Sequence, residues 1–259
     1  MSLVDRLTEL WVCHLGLVPY ADALAIQGQL RDRRQAGELP DTLLLLEHPP
    51  VYTRGRRSGA EDLPFAEDFY RAKGIDVIDT DRGGRLTYHG PGQLVGYPIM
   101  GVHDVGRFLR TIEDAILAAL AEVGVRARSR HDEGIDYTGV WVGERKIASI
   151  GLHVSRGVST HGFAVNVDND LDPFSWVIAC GLPDVAMTSL AHAREGAAEC
   201  SAGEREGLPC FRRRIAYHFA RAHGRRQRLV TPRRLGIDTA NAPSIKKSIS
   251  SPTVEAIPA

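Results

Sequence analysis

The chain has 259 residues, 43 % of them hydrophobic and 25 % charged, with a formal net charge of zero. That length suits one large domain or two small ones and can bury a core without metals or disulfides. The neutral balance gives no global attraction to nucleic acid or to an anionic membrane, and no run of about 18 apolar residues is present to cross a bilayer.

The charge is uneven in kind: 28 of the basic residues are Arg, and the four Lys are Lys73, Lys146, Lys246 and Lys247. Against that background a lone Lys inside an apolar segment stands out. The cysteines, Cys13, Cys180, Cys200 and Cys210, make no C-x-x-C pair and no zinc-finger spacing with His. The ten His include no H-E-x-x-H and no i,i+4 pair, so no metal site and no cofactor are expected. The start MSLVDRLTEL lacks a basic stretch followed by an apolar run, so no signal peptide is expected. Free thiols in a reducing cytoplasm are the corresponding expectation.

Residues 11–15 (WVCHL) read as a short strand. Residues 19–36 read as a helix, with Pro19 in the first turn and an apolar stripe of Leu24, Ile26 and Leu30. The continuous apolar run at 42–46 (TLLLL) predicts a strand buried on both faces. The turn-rich HPPVYTRGRRSG follows, then a helix over 64–73 and an alternating strand at 75–79. The clearest helix is 104–123, with Asp104 as N-cap, apolar positions recurring at three and four, and Gly124 closing it. Residues 137–142, 145–154 and 158–167 alternate apolar and polar, separated by Gly143-Glu144 and Arg156-Gly157, which is hairpin punctuation. A last helix is predicted over 208–223. From about Gly236 the chain is small, polar and Pro-containing, which predicts a domain over 1–235 and a disordered tail over 236–259. Helices alternate with strands early and hairpins dominate later. The expected class is α+β: a mixed, largely antiparallel sheet with helices packed on it.

Three segments can carry chemistry. The first, RGGRLTYHGPGQLVGYP over 82–98, sets hydrogen-bonding side chains beside a glycine-thinned backbone that can approach a ligand closely. By composition alone it is equally a tight turn. It contains no G-x-x-x-x-G-K-[ST], and its G-P-G-Q-L-V-G misses G-x-G-x-x-G at the third glycine, so no nucleotide site is indicated. The second, GERKIASIGLHVSRGVSTHGFA over 143–164, holds Lys146. A Lys at a hairpin end is ordinarily a solvated charge. The functional reading puts it in a partly apolar pocket, where desolvation disfavours its charged form and readies it for proton exchange. Gly162, Phe163 and Ala164 would supply a smooth apolar wall. The third, IACGLPDVAMTSL over 178–190, holds Cys180. Such a context ordinarily marks a buried structural thiol. The functional reading is a nucleophile at a strand-to-loop boundary, opened by Gly181, oriented by Thr188 or Ser189, and activated by Lys146 as the adjacent cation. Cys13 reads as core. The stretch Arg205–Arg234 carries ten Arg against one acidic residue, Glu206, and is either a solvated helix face or a docking surface for an acidic partner.

In this order, RGGRLTYHGPGQLVGYPI, KIASIGLHVSRGVSTHGFAVNV and ACGLPDVAMTSL resemble the lipoyl(octanoyl) transferase family over roughly residues 10–225. The resemblance implies the biotin/lipoate protein ligase catalytic-domain fold. It implies transfer of an octanoyl group from octanoyl-acyl carrier protein to a lysine on lipoyl domains of 2-oxoacid dehydrogenases and on the glycine cleavage H protein. The family's acyl-thioester cysteine falls on Cys180 and the lysine that activates it on Lys146. Its acyl pocket falls on Arg82, Gly83, Gly84, Arg85, Leu86, Thr87, Tyr88 and His89, on Ser149, Ile150 and Gly151, and on Gly162, Phe163 and Ala164. The competing readings are an ATP-dependent lipoate or biotin ligase on the same fold, a non-catalytic acyl-binding module, and a thioesterase.

Overall fold

The computed structural model describes residues 8–182, 185–195 and 207–237. The chain enters on β1 (Glu9–Leu17), crosses through α1 (Tyr20–Gln35) and returns parallel to β1 on β2 (Asp41–Glu47). It then forms β3 (Val51–Arg54), α2 (Glu67–Ala72), β4 (Asp76–Asp79) and β5 (Thr87–His89). β6 (Gln93–Ile99) and α3 (Val105–Glu122) follow, then β7 (Arg128–Ser129), β8 (Gly139–Val142), β9 (Arg145–Ser155) and β10 (Val158–Asn166). The last elements are α4 (Leu190–Glu195), α5 (Leu208–Ala222) and β11 (Arg226–Leu229).

Among the described residues the strands make two sheets. The larger has eight strands in the order β11-β1-β2-β6-β10-β9-β8-β7, and the smaller runs β4-β3-β5. In the large sheet β1 is parallel to β11 and β2, and the remaining pairs are antiparallel. This is the mixed, largely antiparallel α+β architecture expected from the sequence.

The run on β2 explains the layering. Alternate residues of a strand face opposite ways, so Leu43 and Leu45 join α3 and α5 in one core while Leu44 and Leu46 join α1 in another. All four are fully buried, each contributing about 2 kcal/mol of apolar burial. α3 begins where Asp104 accepts the Arg107 N–H and buries Phe108, Ile112, Ala115, Ile116 and Ala119 at helical spacing. It ends at Gly124, whose φ of +81° is the left-handed exit a glycine tolerates. Glu113 on the same helix is 2 % exposed, and its carboxylate accepts the Gly139 N–H at 2.9 Å and the Ser129 hydroxyl at 2.6 Å. That carboxylate anchors the start of β8.

The turn-rich HPPVYTRGRRSG contains a strand, β3. Its partners β4 and β5 lie well down the chain, so no local pattern marks it. β11 likewise depends on its partner, β1. The helix expected over 64–73 is shorter, Glu67–Ala72. Of the expected tail, residues 238–259 lie outside the described residues; Ile237, just before them, is buried. No described helix is long and apolar enough to cross a membrane.

Candidate active site

A cavity of about 400 Å³ opens between the two sheets, within the size range of small-molecule sites. Its floor comes from the face of the large sheet that looks toward α1. Ser149 pairs with Ala164 and Gly151 with Gly162 across β9 and β10, and Val95 on β6 lies beside Ala164. Residues two apart share a face, so small side chains and bare backbone make a flat surface. The glycines are required there. A Cβ on Gly162 would sit 2.1 Å from the Gly96 carbonyl oxygen, and one on Gly151 would sit 2.8 Å from the Gly83 carbonyl oxygen.

The roof is the glycine-rich segment. Gly83 N–H donates to the Leu152 carbonyl at 2.8 Å, which docks the segment on β9 beyond its pairing with β8. Arg85 is held by Asp62 and Glu61. Arg82, Gly83, Gly84, Arg85, Thr87 and His89 all line the cavity, as do Ile150 and Phe163. Leu86 and Tyr88 do not. β5 turns alternate residues away, and both pack into a separate cluster with Tyr52 and Phe174 under the small sheet.

Cys180 and Lys146 line this same cavity. Cys180 does not end a strand: residues 172–176 and 179–181 form short 3₁₀ turns. Phe174, Val177 and Ala179 are buried against the small sheet by side-chain packing rather than by a ladder. Cys180 has a φ of +58° and Gly181 a φ of +71°, so the thiol sits on two consecutive left-handed residues, a costly conformation for a residue with a Cβ. The Cys180 N–H donates to the Leu86 carbonyl at 2.8 Å, and the Ile178 N–H to the Asp62 carbonyl at 3.0 Å. Ser149 Oγ lies 3.7 Å from Cys180 Sγ, within reach of a weak hydrogen bond.

Neither expected orienting residue, Thr188 or Ser189, lines the cavity. Thr188 donates its N–H to the Lys146 carbonyl at 2.9 Å, and Ser189 contacts His192. The Lys146 N–H donates to the Ala186 carbonyl at 3.0 Å. The segment that follows Cys180 is thus tied to the backbone of Lys146. The Lys146 side chain is 2 % exposed. Its stem fits because Gly139 has no side chain: a Cβ there would lie 2.8 Å from Lys146 Cε.

A buried polar network reaches the cavity through Tyr20, Tyr97 and His161. His48 sits between the Val18 carbonyl (2.6 Å) and the Tyr97 hydroxyl (2.7 Å), and burial lowers its pKa to about 4. The neutral ring therefore donates from Nδ1 and accepts from Tyr97 at Nε2. His161 is in the left-handed region too, at φ +56°. Its Nε2 is 2.7 Å from the Asp81 carboxylate and its Nδ1 3.4 Å from the Tyr20 hydroxyl. Burial alone would raise the Asp81 pKa, but the hydrogen bond and charge of His161 hold it below the carboxylate range. Burial lowers the pKa of Arg82, and the charges of Tyr20 and Cys180 oppose that. Tyr20, Tyr97, His161 and the rim residues Arg56 and Arg57 all line the cavity, and sequence reasoning missed them. Tyr97 and His161 lie inside two of the three segments singled out above, at positions not assigned to the pocket, whereas Tyr20, Arg56 and Arg57 lie outside all three.

Cys13 is core, with burial pushing its thiol up to about 12. Cys200 lies outside the described residues. None of the described arginines of the stretch ending at Arg234 lines the cavity. Arg214 pairs with Glu122, Arg225 with Asp41, and Arg226 and Arg228 with Glu9.

Comparison with known proteins agrees with this arrangement. The model of the lipoyl protein ligase A/B catalytic domain matches residues 19–200. An octanoyltransferase of Rubrobacter xylanophilus is 46 % identical over 217 residues, covering 82 % of this chain and 96 % of the relative. One of Acidothermus cellulolyticus is 49 % identical over 184 residues, covering 69 % of this chain and 79 % of the relative. The fold is shared with lipoate-protein ligase A bound with ATP (TM-score 0.66, 17 % identity, 93 % of each chain). It is shared equally with a bi-partite lipoate protein ligase from Thermoplasma acidophilum (TM-score 0.65, 17 % identity, 93 % of this chain and 91 % of that one). The chain belongs to the lipoyl protein ligase A/B catalytic domain family.

Proposed function

We propose that this protein is an octanoyltransferase. It moves an octanoyl group from octanoyl-acyl carrier protein to a lysine of a lipoyl domain through a thioester on Cys180. One observation carries the reading: a thiol on a left-handed turn and a buried lysine line one cavity with a flat, small-residue floor. The names of the relatives support the reaction class.

In this mechanism the Cys180 thiolate adds to the acyl-carrier thioester and expels the carrier thiolate, which takes a proton from Lys146. The acceptor lysine then attacks octanoyl-Cys180, and Lys146 removes the proton from the incoming amine. One thioester replaces another in the first step, so no nucleotide is consumed. Work in the cytoplasm, where thiols stay reduced, belongs to the same proposal.

The test is the intact mass of the enzyme after incubation with octanoyl carrier protein. Wild type should gain one octanoyl group and Cys180→Ser none; acylation of the Ser variant would remove Cys180 as nucleophile. Because a lipoate-protein ligase A bound with ATP shares the fold, the assay includes free octanoate with ATP. Transfer that requires ATP would reassign the protein as a ligase.

A further inference from the structure

Two polar groups of the cavity lack the partners their burial calls for. The Arg82 side chain is 7 % exposed. Its hydrogen bonds go to neutral acceptors, the Thr53 hydroxyl and carbonyl and the Gly83 carbonyl. No carboxylate among the described residues lies within ion-pair distance of it. Thr87, also 7 % exposed, has a buried hydroxyl without a hydrogen-bond partner among the described residues. A buried cation without a carboxylate partner and an orphan buried hydroxyl are both costly.

The backbone makes room for the guanidinium. Cβ atoms on Gly55, Gly84 and Gly151 would lie 2.7, 3.5 and 3.6 Å from Arg82 Nη1. Both groups line the cavity that the thiol lines. Leu86, which accepts the Cys180 N–H at 2.8 Å, is the residue before Thr87. Ser149, 3.7 Å from the Cys180 sulfur, is two residues from Gly151, whose Cβ position is 3.3 Å from Arg82 Cδ. Those two β9 positions share a face and are roughly 7 Å apart.

A third observation completes the case. A nucleophile's own amide is a common oxyanion donor, but the Cys180 N–H is committed to the Leu86 carbonyl. We propose that Arg82 and Thr87 receive the oxyanion that forms when the Cys180 thiolate adds to the acyl thioester. The proposal rests on the acyl-enzyme reading above. Sulfur forms a bond to the carbonyl carbon, and the π pair moves to oxygen, facing the guanidinium and the Thr87 O–H. Collapse restores the carbonyl and expels the carrier thiolate, which is protonated by Lys146. The Thr87 hydroxyl has no partner among the described residues in the resting enzyme and gains one in the adduct, which is the condition for accelerating the step.

The experiment compares two reactions of the same thiol. Acylation by octanoyl carrier protein, followed in a single turnover by intact mass, builds an oxyanion. Alkylation by iodoacetamide consumes the same thiolate without one. Thr87→Val and Arg82→Gln should each lower the acylation-to-alkylation ratio about 100-fold, and Thr87→Ser should recover most of it. An unchanged ratio in both variants overturns the proposal, because a general collapse of the site would slow both reactions alike. A wild-type enzyme that takes no acyl group on Cys180 overturns the acyl-enzyme reading, and the subsite with it.

Discussion

The ammonium nitrogen of Lys146 lies 5.3 Å from the centroid of the Trp141 indole, with no carboxylate in ion-pair reach among the described residues. The ring face partly compensates a buried cation. Removing the amine strands no buried partner charge, unlike truncation of a buried ion pair. Lys146→Ala is therefore expected to unfold cooperatively, with a midpoint lowered only by the cavity its buried stem leaves, while losing about 100-fold or more in transfer rate. Thermal unfolding and steady-state transfer measure the two halves, and wild-type turnover in the variant would take Lys146 out of the mechanism.

Two glycine substitutions should move stability in opposite directions. A Cβ at Gly162 meets the Gly96 carbonyl of the neighbouring strand, which cannot yield without opening β6 from β10. Gly162→Ala should lose about 3 kcal/mol. Gly28, inside α1, has nothing within 4 Å of its Cβ position, so Gly28→Ala should gain about 0.5–1 kcal/mol. Urea denaturation reads both, and equal midpoints would contradict the packing described.

At the start of α3 the Asp104 carboxylate accepts the Arg107 N–H at 3.0 Å. Asp104→Ala should lose about 1 kcal/mol, and Asp104→Asn, which can still cap, only a fraction of that. Identical losses would assign the effect to charge rather than to the cap.

Acid should destabilise the fold through its buried imidazoles. Burial lowers His48 from 6.5 to about 4, and His14 and His223 likewise to about 4. Between those values the unfolded chain binds protons that the folded rings do not. Stability therefore rises with pH through this window and is lost as pH falls through it. Fully buried His48 accounts for about 3 kcal/mol across the range. Urea midpoints from pH 7 to 4 should fall steeply, and less so in His48→Gln. A flat profile would mean that His48 is not buried neutral.

The elements whose signal is local were legible in the chain itself. Asp104 and Gly124 bracket α3, the leucine run marks a doubly buried strand, and Arg156-Gly157 marks the β9–β10 turn, where both residues have positive φ. β3 and β11 were not legible, because their pairing comes from distant segments. The same division holds at the cavity. Lys146, Ser149 and the glycine loop sit in recognisable stretches. Tyr20 lies outside them and enters only because α1 packs over β10, where Gln27 accepts the His161 N–H at 2.6 Å. The position of Cys180 was misjudged for a similar reason. An apolar stretch ending in Ala-Cys-Gly reads as a strand, yet Pro173 and packing against Tyr88 turn it into two short coils.

The bare floor of the cavity limits how its preference can be retuned. A pocket bounded by bulky groups is enlarged by trimming them, but Gly151 and Gly162 have nothing left to remove. Adaptation to longer or shorter chains has to work through the walls, at positions such as Leu109 or Tyr20. Selection in the laboratory for a new acyl length should accumulate its changes there and leave both glycines untouched.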